Sequence, residues 1–234
     1  MGIFAVHRAD TRATTRYSWL DSRHSFNFGP HIAPNNNGHG LLLVSNDDRV
    51  APGGGFGEHG HADMEIVTWV LDGALAHGDS LGTRGTIQPG EIQRMSAGTG
   101  IVHSEMNASS DAPVHFIQMW VLPDTRGLTP EYEQRDVRTL LASNTLVPVA
   151  SGRGHEGAVA LHQRNAVLWA GHLTPGTAFS LPAAPHVHCF VARGAITIDD
   201  EELKEGDALR GTDLGACAGS AGENGAELLV WETA

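Results

Sequence analysis

Apolar residues along this chain come in short bursts of strand length, each closed off by Gly, Asp, Asn or Pro. The stretch 66–71, Ile-Val-Thr-Trp-Val-Leu, is rich in β-branched and aromatic residues and stops at a turn, Asp72-Gly73. The same pattern predicts strands over 41–45, 74–77, 85–87, 92–96, 100–105 and 114–122, with a turn at Asn46-Asp47-Asp48. Residues 1–40 read as loop-rich, with a short strand over 25–28 and a turn at 35–38; 123–130 reads as a linker. The second half predicts strands over 146–149, 158–162, 167–173, 187–192, 195–198 and 227–231. Strands this short and this regularly spaced predict a sandwich or barrel.

The two halves echo each other. His186-Val187-His188 followed by Arg193-Gly194 repeats the texture of His59-Gly60-His61 followed by Asp72-Gly73, and Glu205-Gly206-Asp207 that of Pro89-Gly90-Glu91. An internal duplication accounts for this economically and predicts two related β domains, 1–130 and 131–234.

Composition narrows the function. Plentiful Gly (29) and Pro (11) suit a turn-rich β protein. A net charge of −12 argues against direct nucleic-acid or anionic-membrane binding, both of which need basic surface, and leaves a protein partner open. No stretch approaches the roughly 20 apolar residues of a spanning helix, and residues 1–10 lack a secretory pattern. Two cysteines are too few for a disulfide framework, so the expectation is a cytoplasmic protein with reduced thiols.

The chemistry concentrates in 53–107. His59-Gly60-His61 and His103-Ser104-Glu105 each place two metal-capable side chains two residues apart, on one face of a strand. Two neighbouring strands of that kind aim three imidazoles and one carboxylate at one point, which suits a divalent metal. Gly55-Phe56-Gly57-Glu58-His59-Gly60 matches GxGxxG, but strand-like residues follow where a dinucleotide site needs a helix, so that reading is rejected. Glu65 is the rival carboxylate: four residues past His61, an unbroken strand would put it on the same face. His186 and His188 lack a following His-x-Glu and read as a vestigial site in a polar cleft. Cys189 reads as a buried structural thiol. His77 and His115 either line the first cavity or lie on the surface.

Taken together, these residues resemble the pirin family of two-domain cupins, closest to its bacterial quercetin 2,3-dioxygenase-like members. The resemblance runs over roughly 19–134, through Trp19-Leu20-Asp21-Ser22, Asn46-Asp47-Asp48, His61-Ala62-Asp63-Met64-Glu65-Ile66, Ala97-Gly98-Thr99-Gly100-Ile101 and Pro130-Glu131-Tyr132-Glu133-Gln134. It implies an all-β fold of two tandem jelly-roll β-barrel domains, the second degenerate. It also implies one metal ion, usually iron, on His59, His61, His103 and Glu105, with Glu65 as an acceptor behind a ligand imidazole. Gly60 stands where the family often has Pro. Four protein ligands on a six-coordinate ion leave two positions open, as non-haem oxygen chemistry requires. That favours Fe(II), with Zn, Ni, Co, Mn or Cu as alternative occupants.

The activity implied is a dioxygenase acting on a flavonol such as quercetin, with Glu105 or Glu65 taking the 3-hydroxyl proton and carbon monoxide released on ring opening. An enzyme of the same kind with a non-flavonoid substrate is a variant of this reading. The alternative is a non-enzymatic, metal- and redox-responsive regulator that binds a protein partner.

Overall fold

The computed structural model describes residues 3–234. Its first half supplies β1 (Ile3–His7), β2 (Ala13–Tyr17), β3 (Leu20–His24), β4 (Leu42–Val50), β5 (Gly55–His61), β6 (Glu65–Asp72), β7 (Leu75–Asp79), β8 (Arg84–Ile87), β9 (Glu91–Ser96), β10 (Ile101–Asn107) and β11 (Val114–Val121). The second half supplies β12 (Glu131–Asp136), the one-turn helix α1 (Arg138–Leu141), β13 (Val147–Ser151), β14 (Val159–Ala160), β15 (Ala166–Leu173), β16 (Ala178–Leu181), β17 (Ala184–Ile198), β18 (Glu201–Lys204), β19 (Ala208–Leu214) and β20 (Cys217–Thr233).

A seven-stranded sheet runs β12-β9-β6-β11-β4-β3-β2, and a four-stranded sheet runs β5-β10-β7-β8. Leu20, Val50, Val70, Leu75, Ile87, Val114 and Phe116 pack between them and close the first barrel. The remaining strands form a nine-stranded sheet curled around a second apolar cluster that includes Val187, Cys189, Val191, Leu209 and Val230. Two strands cross the division expected at residue 130. β12 pairs with β9, Tyr132 opposite Met95, and β1 pairs with β19, Ala5 opposite Arg210.

The largest cluster belongs to neither barrel alone. Trp69, Ile117 and Met119 from one side meet Leu168, Phe190 and Trp231 from the other. On β11, alternation sends Ile117 and Met119 to this shared core while Phe116, Gln118 and Trp120 take the opposite face. One strand thus serves both the packing between barrels and the interior of the first.

Three expectations need correcting. Residues 1–40 hold more strand than expected: β1, β2 and β3 lie before residue 25, while 25–40 is loop and 25–28 makes only a single bridge, between Phe28 and His31. The turn at Asn46-Asp47-Asp48 does not form, because all three sit buried inside β4. Partners from elsewhere in the chain override their turn preference: Asn46 Oδ1 meets His24 Nδ1 at 2.9 Å, and Asp47 meets Arg12 and His115 at 2.7 Å each. Finally, 187–192 and 195–198 are one strand, β17, bent by bulges around Gly194 at φ 72°.

β17 also settles where the second histidine pair faces. Val187, Cys189 and Val191 fill the second barrel, so the alternate positions His186 and His188 lie on the other side of the strand. The ring of His188 rests against Phe26 of the first half, 5.5 Å between centroids. The inside of the second barrel is apolar, and Cys189 is a buried free thiol in it, as expected.

Candidate metal centre

β5 and β10 are hydrogen-bonded neighbours, with His59 opposite His103 and His61 opposite Ile101. Each of the three imidazoles offers a nitrogen within 4.8 Å of the other two. Nε2 of His61 and Nε2 of His103 are buried without any hydrogen-bond partner. An unpartnered buried polar atom is costly, and lone pairs from a convergent imidazole triad match a divalent ion. The residues present fit such an ion.

Protonation states agree. Burial pushes His61 down to about 4, helped by the nearby His59. Burial also pushes His103 down to about 3, with His59, His61 and His77 adding repulsion. Both rings are neutral near pH 7, the form that binds metals. His59 Nδ1–H donates to the Gly57 carbonyl at 2.8 Å, which leaves its Nε2 lone pair free.

His103 is oriented from behind. Asp79, buried beneath it, takes two backbone N–H bonds, from Leu81 and Thr83, at 3.0 Å each, and lies 3.1 Å from His77 Nε2. His77 Nδ1 faces His103 Nδ1 at 3.5 Å, and Tyr132 covers the His77 ring at 4.8 Å between centroids. With Asp79 accepting from His77, and His77 accepting from His103, the metal-side nitrogen of His103 is the unprotonated one. His77 therefore neither lines the cavity nor lies on the surface; it stands behind a candidate ligand. His115 is tied to Asp47 away from this cavity.

Glu105 follows a bulge in β10 and lines the same cavity, outside the 4.8 Å group. Gln118 Nε2 donates to both carboxylate oxygens, at 2.8 and 2.7 Å, while Gln118 Oε1 accepts from Trp120 Nε1 at 3.1 Å. Burial raises the Glu105 pKa and Gln118 opposes that rise. Glu65 stands elsewhere. The strand after His61 breaks at 62–64, where Asp63 takes φ 50°, so the same-face count does not carry through. Its Oε2 accepts from Ser96 Oγ and the His162 backbone N–H, both at 3.0 Å, and it is absent from the cavity lining.

The cavity beside the triad measures about 320 Å³ and is walled by Tyr17, Trp19, Phe28, Phe56 and Trp120. Asp48 also lines it; burial pushes Asp48 up to about 7, against a hydrogen bond from Ser22 and with the charges of Asp47 and Glu105 adding. Asp48, Gln118 and Trp120 escaped the sequence reading as site residues. The available signal was a glutamine within the apolar run that follows His115 in strand 114–121.

Two barrels in tandem, one carrying a histidine cluster and the other filled with apolar side chains, make this a bicupin. A family model described as Pirin matches residues 6–121, and one described as quercetinase C-terminal cupin domain matches 148–232. A Mycobacterium tuberculosis relative is 53% identical over 97% of this chain and 93% of its own. The quercetin 2,3-dioxygenase of Escherichia coli is 36% identical over 97% of both chains. The crystal structure of the bacterial pirin YhhW from Escherichia coli in complex with nickel(II) is 36% identical, covers 99% of both chains and superposes with a TM-score of 0.91. The chain belongs to the pirin family.

Proposed function

We propose that this pirin is a metal-dependent dioxygenase, with Fe(II) held by His59, His61, His103 and Glu105, that opens a flavonol such as quercetin and releases carbon monoxide. The observation that carries the reading is the pair of bare, buried Nε2 atoms on His61 and His103 beside an aromatic-walled cavity. The names of the Escherichia coli dioxygenase and of the nickel-bound pirin support it. When bound, the ion supplies a Lewis acid and a place for dioxygen to react.

The rest falls to the chain. Trp19 and Phe56, in edge contact at 5.2 Å, and Trp120, against His61 at 4.9 Å, offer ring faces and edges to a flat polyphenol. Glu105 accepts the 3-hydroxyl proton: burial makes it a stronger base than a free carboxylate, and Gln118 holds it in place. The same reading sets the enzyme in the cytoplasm. Both thiols are free and buried, and no helix among the described residues is long and apolar enough to cross a membrane.

The test loads purified protein anaerobically with Fe(II), and separately with Ni(II), Co(II), Mn(II), Cu(II) and Zn(II), then mixes it with quercetin in air. Loss of the flavonol absorbance with matching carbon monoxide release is the expected outcome. Metal binding without turnover for every ion would overturn the dioxygenase and favour the redox-responsive regulator.

A further inference from the structure

A second, larger cavity of about 440 Å³ lies between the barrels, where Arg210 on β19 faces the loop 25–36 and Arg12. In a chain of net charge −12, its lining contains both arginines and no carboxylate. The side chain of Arg12 is only 3% exposed; it gives one bond to Asp47 at 2.7 Å, and its Nε and Nη1 have no partner. Arg49 and His115 already share that carboxylate.

Arg210 has no carboxylate partner among the described residues. It donates to Asn36 Oδ1 at 2.7 Å and to the Ser25 backbone carbonyl, while its Nε has no acceptor. Its guanidinium lies 4.2 Å over the Phe26 ring, a contact that attracts a cation without supplying a counter-charge. Burial alone pushes Arg210 down to about 10. Cations withdrawn from water in folded proteins are normally paired. The hydroxyl of Ser25, buried and unpartnered, adds a donor at the same wall.

We propose that this cleft is a binding site for a small oxyanion, a phosphate or carboxylate group, held by Arg210 and Arg12 with Ser25. A planar guanidinium with unspent N–H donors suits such a group in a bidentate grip. Arg210 stands on the nine-stranded sheet and Ser25 directly follows β3 of the seven-stranded sheet, so the anion bridges the two barrels.

The test titrates the metal-loaded full chain with inorganic phosphate and, separately, with succinate, against chloride at matched ionic strength, reading calorimetric affinity and thermal midpoint. Saturable binding of at least one anion is expected, weakened about tenfold or more in Arg210→Gln and partly restored in Arg210→Lys, which keeps the charge. Binding of phosphate alone identifies a phosphate-bearing ligand, and of succinate alone a carboxylate. Should Arg210→Gln not fold, Asn36→Asp places a carboxylate beside Arg210 and is expected to produce the same loss. Neither anion exceeding chloride, or undiminished affinity in Arg210→Gln (an anion seated on the metal instead), would overturn the proposal.

Discussion

At the scale of single residues, the site depends on which nitrogen of each imidazole is left bare. For His103 that is decided two contacts away, by Asp79 acting through His77. His77→Phe keeps a ring beside Tyr132 but removes the acceptor, and Asp79→Asn weakens the hold on His77. Each is expected to weaken metal affinity about 10–100-fold while leaving the fold intact, as removal of a ligand's outer partner does elsewhere. His103→Ala is expected to lose the metal altogether. Competitive chelator titration measures all three, and an unchanged affinity in both His77→Phe and Asp79→Asn would show that the relay orients nothing. His77 was visible in the sequence as a histidine. Its post behind His103 was not, because β7 pairs with β10 through contacts nearly thirty residues apart.

At the scale of elements, β5 and β17 carry similar histidine pairs to different ends. On β5, Gly60 has room for a side chain: an added Cβ would come no nearer than 3.8 Å to any atom, and its φ is not in the left-handed region. Gly60→Ala is therefore expected to add about 0.4–1 kcal/mol of stability through the unfolded chain, with metal affinity unchanged. Urea denaturation checks this; a loss of stability would mean that the strand needs glycine there. On β17, His188 is buried with both ring nitrogens unpartnered, and burial, followed by Arg210, His39 and His7, holds its pKa well below the ordinary value. The unfolded chain takes up a proton near pH 6.5 that the folded one refuses. The folded state thus binds fewer protons, and its stability falls as the pH drops below about 6.5. His188→Leu is expected to remove part of that acid sensitivity and to gain about 1–3 kcal/mol at pH 7.5, since an apolar group replaces an unsatisfied one. Denaturation at pH 7.5 and pH 5 gives both numbers; the same pH slope in wild type and variant would refute the account.

At the scale of the whole molecule, the barrels share one core. Trp231 is 1% exposed and its Nε1–H points at Met119 Sδ, 3.1 Å away across the interface. Trp231→Ala is expected to cost about 3–5 kcal/mol and to lower the stability of both barrels in one transition. Two separate transitions in calorimetry, with only one shifted, would show that the barrels fold independently. The crossing of β1 and β12 between sheets argues the same way: each barrel borrows a strand from the far side of residue 130.

Short apolar bursts closed by Gly, Asp, Asn or Pro, read without any structure, were enough for the all-β class and for most strands between 65 and 121, because strand-forming residue types and turn residues act locally. The two-residue spacing within His59-His61 and within His103-Glu105 was likewise local, and it carried the metal reading together with the pirin resemblance; that the two pairs meet was decided by the pairing of β5 with β10. Tertiary structure decided what depends on distant partners. It kept Asn46-Asp47-Asp48 in a strand, because Arg12, His24 and His115 come from elsewhere to meet them. It turned His186 and His188 away from the second barrel, since a strand's period says that two residues share a face but not which face is inside. It moved Glu65 out of the site through a three-residue break, and it left Arg210 without a counter-charge, a fact about what is absent nearby that no local pattern records.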